Sequence, residues 1–378
     1  MAEEEDDLKP HIIIDNGSGY FKAGLSGEEK PKSVFPSIVG YPNYMINSGG
    51  SNYSNTEDCF VGTKAEANSY KLNLSYPIEH GIINDWEDMK EIYSHIFKNE
   101  LRVEPAEFNV FLTEPLMNPK QNREKIAQIM FETFKVSGLS FESQPLLCLY
   151  AGGKFTGFVV DSGEGLTQFA PFYDGFPLSH AMKKIVLSGG IITNYMLKLL
   201  NNNGLNFSNH EKEKVRNIKE KACYVALDFN NFKDSIKKSI EPFYYELPDG
   251  NQIVLKEQRI ICTEGLFKPS IIGKSGNGLA KTCYDLIQKC NIDIKKDLYN
   301  CIFLSGGNTM FKGFPERFEK EIKGLVPESM KEEVKAIASP ERKIHVWIGG
   351  SIISSISTYE SKWATKKDYE EKGMKIIQ

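Results

Sequence analysis

The chain has 378 residues, of which 40% are hydrophobic and 25% are charged, and its formal net charge is −4. This composition is typical of a folded globular protein, and the length exceeds what one hydrophobic core usually supports, so we expect two domains. No apolar run approaches the ~20 residues that span a bilayer. The weakly acidic charge gives no general attraction for nucleic acid or for an anionic membrane surface. We therefore expect neither nucleic-acid binding nor membrane insertion.

The start of the chain is acidic through residues 3–7, whereas a secretory or mitochondrial leader is apolar or rich in Arg. We therefore expect a cytoplasmic protein, in which residues 3–7 form either a solvated tail or an acidic arm that docks a basic partner. The seven cysteines are scattered and include no C-x-x-C pair. This spacing predicts reduced, mostly structural thiols rather than a disulfide framework or a metal site.

The first predicted element is a hairpin. An apolar strand at residues 12–14 is followed by Asp15-Asn16-Gly17-Ser18-Gly19, and a second apolar strand covers residues 20–25. Strand-forming residues on both sides of a glycine-rich turn predict a β-hairpin. Further along, residues 43–58 are rich in Ser, Asn and Gly, which is typical of an exposed mobile loop.

Two helices are predicted after this loop. Apolar residues recur at helical spacing between residues 121 and 134. A short apolar helix is predicted over residues 144–150, with Pro145 in its first turn, where the missing N–H costs nothing. This second helix leads directly into another copy of the hairpin pattern, so it is a candidate crossing between two lobes.

The hairpin pattern then occurs a second time. An apolar strand at residues 157–160 precedes Asp161-Ser162-Gly163-Glu164-Gly165, and another apolar strand follows at residues 166–172. Asp15 and Asp161 lie 146 positions apart, which is about the length of one domain. Two homologous lobes with one hairpin each are therefore expected.

Three further elements are predicted in the second half of the chain. Residues 211–227 are predicted as a charged amphipathic helix. Residues 301–305 are predicted as a buried strand that breaks into a turn at Gly306 and Gly307. Residues 346–350 repeat that shape and predict another strand that ends in a glycine turn.

The repeated hairpin points to a chemistry. One such turn alone is commonly no more than a turn, because Asp and Gly are what tight turns require. Two copies change this interpretation, since glycine-rich turns leave backbone N–H groups uncovered that can bind phosphate oxygens. Asp15 and Asp161, at the strand ends, are hard oxygen ligands that suit Mg²⁺ or Ca²⁺. Lys22 follows the first turn and can neutralise phosphate charge.

The sequence resembles the actin family over nearly its whole length, from about Ile12 to about Gly373. The similar segments keep the family's order along the chain and are too numerous for a chance similarity. They are residues 14–19 (IDNGSG), 34–40 (VFPSIVG), 76–82 (YPIEHGI), 129–134 (IMFETF), 222–228 (ACYVALD), 246–250 (ELPDG) and 347–352 (WIGGSI).

This resemblance implies an α/β fold of the actin-like ATPase type, with two homologous lobes around a central nucleotide cleft and a smaller subdomain in each lobe. Residues 1–143 and 346–378 would form the first, outer lobe, with an inserted subdomain at about 37–76. Residues 144–345 would form the second, inner lobe, with an inserted subdomain at about 188–274. The chain would cross between the lobes near residues 144–150 and 343–348.

The resemblance also implies that the chain binds ATP or ADP with Mg²⁺ or Ca²⁺. Asp15 and Asp161 would hold the cation, mainly through water, while Gln144, Gln168 and Asp161 would form the catalytic group, with Gln144 positioning the attacking water. The residues that would contact the nucleotide are Ser18, Gly19, Tyr20, Lys22, Gly163, Glu164 and Gly165 at the phosphates, and Arg216, Lys219, Glu220, Gly307, Met310, Phe311 and Lys343 at the nucleoside.

The sequence departs from the family's pattern at the second hairpin. It carries Glu164 where actins have Asp and Gln168 where they have His. An amide can hydrogen-bond a water molecule but cannot accept its proton. We therefore expect nucleotide binding with slow or impaired hydrolysis, so that the chain is at most a slow ATP hydrolase.

The sequence also departs from actins where they contact one another in filaments. Residues 271–274 resemble an apolar plug between strands of the filament, yet Lys274 places a charge there that is costly to bury unpaired. The loop at residues 43–58 is three residues longer than in actins, Lys362 replaces a methionine, and the chain lacks the terminal Lys-Cys-Phe. These changes favour a subunit of a multiprotein assembly or a short filament, within the cytoskeleton.

Other functions remain open at this point. The chain could be a conventional filament-forming actin with normal slow ATPase activity, or, more remotely, a sugar kinase or chaperone-type ATPase of the same superfamily. The expected partners are other actin-family subunits and actin-binding proteins, unless the apolar residues that would form their groove are mostly core. Those groove residues are Tyr150, Phe155, Ile348, Ile352 and Ile356.

Overall fold

The computed structural model describes residues 9–42, 59–229, 240–247 and 250–377. The loop predicted at residues 43–58 and the acidic run at residues 3–7 lie outside the described residues. The chain divides into two compact units, which we call the first unit (residues 1–154 with 344–378) and the second unit (residues 155–343). The lobe boundaries expected from the sequence, and the inserted subdomains, stay a prediction.

The strands and helices alternate along the described chain. The strands are β1 (Ile12–Asn16), β2 (Tyr20–Leu25), β3 (Ser33–Pro36), β4 (Val39–Pro42), β5 (Phe60–Val61), β6 (Leu72–Ser75), β7 (Ile78–Glu79), β8 (Ile82–Ile83), β9 (Asn109–Glu114), β10 (Gly138–Ser143), β11 (Gly157–Ser162), β12 (Thr167–Tyr173), β13 (Phe176–Pro177), β14 (Lys183–Ile185), β15 (Phe243–Glu246), β16 (Gln252–Leu255), β17 (Ile302–Ser305), β18 (Ala336–Ile337) and β19 (Ala364–Thr365). The α-helices are α1 (Thr63–Ala67), α2 (Trp86–His95), α3 (Lys120–Gln128), α4 (Gln144–Ala151), α5 (Gly189–Asn202), α6 (Lys212–Ala222), α7 (Gln258–Glu264), α8 (Leu279–Ile287), α9 (Ile292–Asn300), α10 (Phe314–Lys323), α11 (His345–Ser354) and α12 (Lys366–Lys372).

The main sheets of the two units have the same topology. In the first unit the order is β3-β2-β1-β9-β10-β19, with β1 antiparallel to β2 and parallel to β9. In the second unit the order is β13-β12-β11-β17-β18, with β11 antiparallel to β12 and parallel to β17. Each sheet therefore has a hairpin whose first strand is central and is continued by parallel strands. The predicted α/β fold with two lobes of one design is confirmed.

Burial explains why β1 and β11 read as continuous apolar runs. Ile12, Ile13 and Ile14 have no exposed surface, and neither do Phe158 and Val159. A strand that is covered on both faces needs apolar residues at every position rather than at alternate ones. Each central strand thus anchors the core of its own unit.

Helices α4 and α11 pack closely in the first unit. A Cβ atom on Gly349 would lie 1.9 Å from the Leu147 carbonyl oxygen, so only glycine allows this approach. Trp347 on α11 is fully buried, and its Nε1 donates a hydrogen bond to the Ile13 carbonyl at 3.2 Å. These contacts attach α11 both to α4 and to the central strand β1.

Two predictions about the second half of the chain are wrong. Residues 346–350 lie in helix α11 and not in a strand, because a short apolar run fits either element and the glycines here serve helix packing. The helix predicted over residues 211–227 ends at Ala222, where Cys223 becomes extended. The chain then pairs with another segment, since the Val225 N–H donates to the Lys312 carbonyl at 2.8 Å.

Two further predicted elements, a helix and a strand, are confirmed. The helix predicted over residues 121–134 is α3, continued by a π-helical turn at Ile129–Thr133. Strand β17 ends at Ser305, and Gly306 follows with a φ of 86°, which favours glycine. All seven cysteines are free thiols. Among the helices of the described ranges, none is long and apolar enough to cross a membrane.

We expect Gly349→Ala to destabilise the first unit. The added methyl group would meet a backbone oxygen, so α4 and α11 have to separate, at a cost of about 3 kcal/mol or more. Thermal unfolding should show a Tm lowered by about 6 °C or more. Gly324→Ala is the matched control, because its nearest neighbour would be at 3.4 Å and its φ is −71°. An equal Tm for both variants would contradict the packing argument.

Candidate functional site

The turn of the first hairpin leaves backbone donors uncovered. Strand β1 ends at Asn16 and strand β2 begins at Tyr20, so residues 17–19 make the turn. Gly17 is required there, because a Cβ atom would lie 2.5 Å from the Tyr20 carbonyl oxygen. The N–H groups of Ser18 and Gly19 donate to no group among the described residues. Two adjacent uncovered N–H groups are what an anion-binding turn provides.

Asp15 lies beside this turn and is almost completely buried. Its Oδ2 accepts a hydrogen bond from Lys22 Nζ at 2.5 Å, and its Oδ1 accepts one from Thr113 Oγ1 at 2.7 Å. Lys22 stands directly opposite Asp15 in the β1–β2 register. The structure therefore brings together two of the predicted site residues as a buried ion pair.

Gln144 lies next to the same hairpin. It begins α4, and its Nε2 is 3.3 Å from Thr113 Oγ1 and 3.5 Å from the Asn16 carbonyl oxygen. Thr113 thus contacts both Asp15 and Gln144, although the sequence analysis did not identify it. The available signal was its position near the carboxyl end of a buried parallel strand, β9, where α/β proteins place functional side chains.

The second hairpin repeats this arrangement with a different partner. Asp161 stands directly opposite Gln168, as Asp15 stands opposite Lys22, and Gln168 Nε2 donates to Asp161 Oδ2 at 3.1 Å. Both side chains are buried. Lys184 on β14 pairs in register with Gln168, and burial lowers the pKa of its ammonium group. A titratable amine therefore lies opposite the position where actins carry a histidine.

The turn of the second hairpin is held by a neighbouring loop. Its N–H at Glu164 donates to no group within the described part of the chain, as at the equivalent Ser18. Asn308 Nδ2 donates to the Gly163 carbonyl at 2.8 Å and to Ser162 Oγ at 3.0 Å. The sequence analysis missed Asn308, whose only signal was its place directly after the Gly306-Gly307 turn.

The Glu164 side chain is held by Lys219. Lys219 is buried on α6, and its Nζ donates to Thr193 Oγ1 at 2.9 Å, to the Gly189 carbonyl at 3.1 Å and to Glu164 Oε2 at 3.5 Å. A Cβ atom on Gly189 would lie 2.5 Å from that carboxylate. The predicted contact between Lys219 and a nucleoside stays a prediction, and its ammonium already has three oxygen acceptors.

The remaining predicted nucleoside contacts all belong to the second unit. Glu220 and Lys343 come together, with Oε2 and Nζ at 3.4 Å and both side chains partly exposed. Gly307 is exposed and a Cβ atom there would meet nothing within 4 Å, while Met310 is 38% exposed. These four residues are accessible to a ligand.

Two other predicted contacts are buried instead. Phe311 is packed in the hydrophobic core of the second unit. Arg216 is buried on α6 and pairs with Glu213 one turn earlier, with 2.5 Å between the closest nitrogen and oxygen. Their assignment to the nucleoside surroundings therefore stays a prediction without accessible side-chain surface to support it.

The arrangement of Asp15, Asp161 and the other acidic side chains limits how the chain could bind a metal ion. In the described ranges, no group of three or more His, Cys, Asp or Glu side chains is placed to bind a metal ion. Asp15 and Asp161 each offer carboxylate oxygens, which are ligands that Mg²⁺ and Ca²⁺ prefer. A cation at either residue would take its other ligands from water or from a bound phosphate.

Comparison with known protein families agrees with this geometry. The family model described as Actin matches residues 6–378, which is nearly the whole chain. The chain belongs to the actin family and is an actin-like nucleotide-binding protein.

Proposed function

We propose that the protein binds ATP together with Mg²⁺ or Ca²⁺, and that the glycine-rich turn of each hairpin is able to bind phosphate oxygens. The main observation behind this proposal is that the same glycine-rich hairpin occurs twice. The equivalent turns expose the N–H groups of Ser18 and Glu164, and each turn follows a buried aspartate. Uncovered N–H groups beside hard carboxylate ligands fit a polyphosphate with its cation.

Roles follow for most of the predicted residues. Gly19, Tyr20 and Lys22 contribute to phosphate binding in the first unit, and Gly163 and Gly165 contribute in the second. Glu220, Gly307, Met310 and Lys343 contact the nucleoside. Asp15 and Asp161 orient the hydrated cation, which when bound would offset the negative charge of the phosphates.

We further propose that hydrolysis is slow or impaired. Gln144 begins α4 beside the first hairpin and is the residue that would orient the attacking water. Gln168 is buried and hydrogen-bonded to Asp161, and its amide has no site that can take up a proton. The chain is therefore at most a slow actin-type ATP hydrolase.

The role that we propose is that of a cytoplasmic, cytoskeletal subunit of a multiprotein assembly or a short filament. Lys274 is exposed after the 3₁₀ turn Pro269–Ile272, while Ile272 packs against the core of the second unit, so little apolar surface is left for a plug. A fixed complex can supply a carboxylate for Lys274, whereas a long filament repeats the unfavourable contact at every subunit.

Partner binding would use apolar residues of the first unit on α4, on α11 and just after α11. Ile352 and Ile356 are 44% and 46% exposed, and Tyr150 and Ile348 are half-buried. Phe155 of the second unit is also exposed. The exposed apolar side chains of the first unit support binding of helices of actin-binding proteins, and the part of Phe155 in that binding stays a prediction.

The conventional filament-forming actin is the main alternative, and a sugar kinase or chaperone-type ATPase is a remote one. A sugar kinase would release phosphate faster, or transfer it, when its sugar is present. Assays of phosphate release with and without candidate sugars, combined with pelleting in the presence of ATP, separate these functions.

We expect ATP with Mg²⁺ or Ca²⁺ to stabilise the protein. A ligand that binds only the folded state adds about 2.7 kcal/mol at one hundred times its Kd, so Tm should rise with ATP concentration. Asp15→Ala combined with Asp161→Ala should abolish this rise, whereas Glu328→Ala, at an exposed surface position, should preserve it. Unchanged unfolding in millimolar ATP would contradict the proposal.

We expect the double variant Gln168→His with Glu164→Asp to hydrolyse ATP faster than the unmodified chain. An imidazole at residue 168 can accept a proton, and a gain of about tenfold or more is in the range of general-base effects. Single-turnover phosphate release measures this rate. The pair Gln168→Asn with Glu164→Asp is the control, since it shortens both side chains without adding an imidazole. A rate that stays equal or falls in the histidine variant would show that these residues do not limit hydrolysis.

We expect the purified chain not to form long, stable filaments. A deficit of about 1.4 kcal/mol at a repeated contact lowers the association constant tenfold. Negative-stain microscopy at high protein concentration with ATP, Mg²⁺ and salt should show single particles or short oligomers. Lys274→Ala should increase polymer length if its charge limits the contact. Abundant long two-stranded filaments of the unmodified chain would restore the conventional alternative.

A further inference from the structure

The turn at Gly306–Met310 is attached to one residue at its first end. The Gly306 N–H donates to the Arg342 carbonyl at 3.1 Å, and Ser305 Oγ donates to the same carbonyl at 3.2 Å. Gly306 itself leaves little freedom, because a Cβ atom there would lie 2.3 Å from the Ser162 carbonyl oxygen. The start of the turn is therefore held between Arg342 and the second hairpin.

The side chain of the same arginine holds the other end of the turn. Its Nη2 donates to the Thr309 carbonyl at 3.0 Å, and its Nε lies 3.2 Å from Thr309 Oγ1 and 3.3 Å from the Thr309 carbonyl. Its Nη1 donates to the Ser339 carbonyl at 2.7 Å. Arg342 thus contacts both ends of the turn, and it also contacts Ser339, which lies three residues before it in the chain.

These contacts do not depend on a carboxylate. The hydrogen-bond acceptors of the guanidinium are carbonyl and hydroxyl oxygens, and burial lowers the pKa of Arg342. The planar guanidinium holds its donors in a fixed fork that matches carbonyls on two segments at once, whereas an ammonium has three donors around a single nitrogen and cannot reproduce that geometry. The geometry of the guanidinium, rather than its charge, matters at this position.

The residue after Arg342 extends the connection to helix α6. Lys343 Nζ lies 3.4 Å from Glu220 Oε2. The dipeptide therefore joins two segments of the second unit that carry accessible predicted nucleoside contacts, namely the turn with Gly307 and Met310, and the helix with Glu220.

We propose that Arg342 is a positioning residue for the nucleoside half of the site. It does not touch the nucleotide itself but sets the conformation of the turn that would contact the base. This inference rests on the proposed function. Because the phosphates are common to all nucleoside triphosphates, loss of base positioning should change the preference among bases rather than the affinity for every triphosphate alike.

The test compares ATP and GTP binding to the full chain by competition with a fluorescent ATP analogue in the presence of Mg²⁺. We expect Arg342→Gln to reduce the ratio of ATP affinity to GTP affinity by about tenfold, which corresponds to about 1.4 kcal/mol. Arg342→Lys should have nearly the same effect, because it keeps the charge but not the planar set of donors. Arg342→Lys also serves if Arg342→Gln does not fold.

Arg317→Lys is the control for a loss of stability without a loss of base preference. Arg317 is a buried arginine of the second unit, whereas Arg342 is only partly buried, and Arg317 holds Glu264 and the Ala226 carbonyl. The Arg317→Lys variant should have a lower Tm and an unchanged ratio of ATP affinity to GTP affinity. If the Arg342 variants weaken ATP and GTP equally, or leave both unchanged, the positioning role is overturned while the proposed function stands. If the unmodified chain binds no nucleotide at all, the proposed function itself fails.

Discussion

In each main sheet, the last residue but one of the central strand is a buried aspartate. A buried carboxylate is tolerated only when hydrogen bonds or a counter-charge satisfy it. In the first unit Lys22 and Thr113 meet this requirement for Asp15. In the second unit Gln168 donates to Asp161. Lys22 and Gln168 both come from the returning strand of the hairpin, so the register that satisfies each carboxylate also determines where the turn lies. The exposed N–H groups of the turns follow from that register.

The two hairpins have equivalent backbone arrangements but carry side chains of different chemistry. Lys22 brings a positive charge to its aspartate, whereas Gln168 at the equivalent position brings only an amide. The repeat preserves the placement of a donor and changes its capacity to carry charge or to exchange a proton. This is why we assign binding to both hairpins but expect the second hairpin to limit hydrolysis.

Contacts around the second hairpin involve several separate segments of the second unit. Lys219 of α6 holds the Glu164 carboxylate, Asn308 holds the Gly163 carbonyl, and Arg342 holds the turn that carries Asn308. Buried polar networks of this kind specify one arrangement, because each unsatisfied member would carry a desolvation cost. Gly307 lies on the turn that Arg342 holds, and Glu220 follows Lys219 on α6.

The sequence by itself determined the features that depend on local pattern. The two hairpins and their spacing follow from strand alternation and turn chemistry, and the ordered family segments identified the fold. Tertiary structure decided the rest. Residues 346–350 lie in a helix in which Gly349 allows close contact with α4. Helix α6 ends before Val225, whose N–H donates to the Lys312 carbonyl. The roles of Thr113, Asn308 and Arg342 arise from contacts between segments far apart in the chain, which no local periodicity encodes.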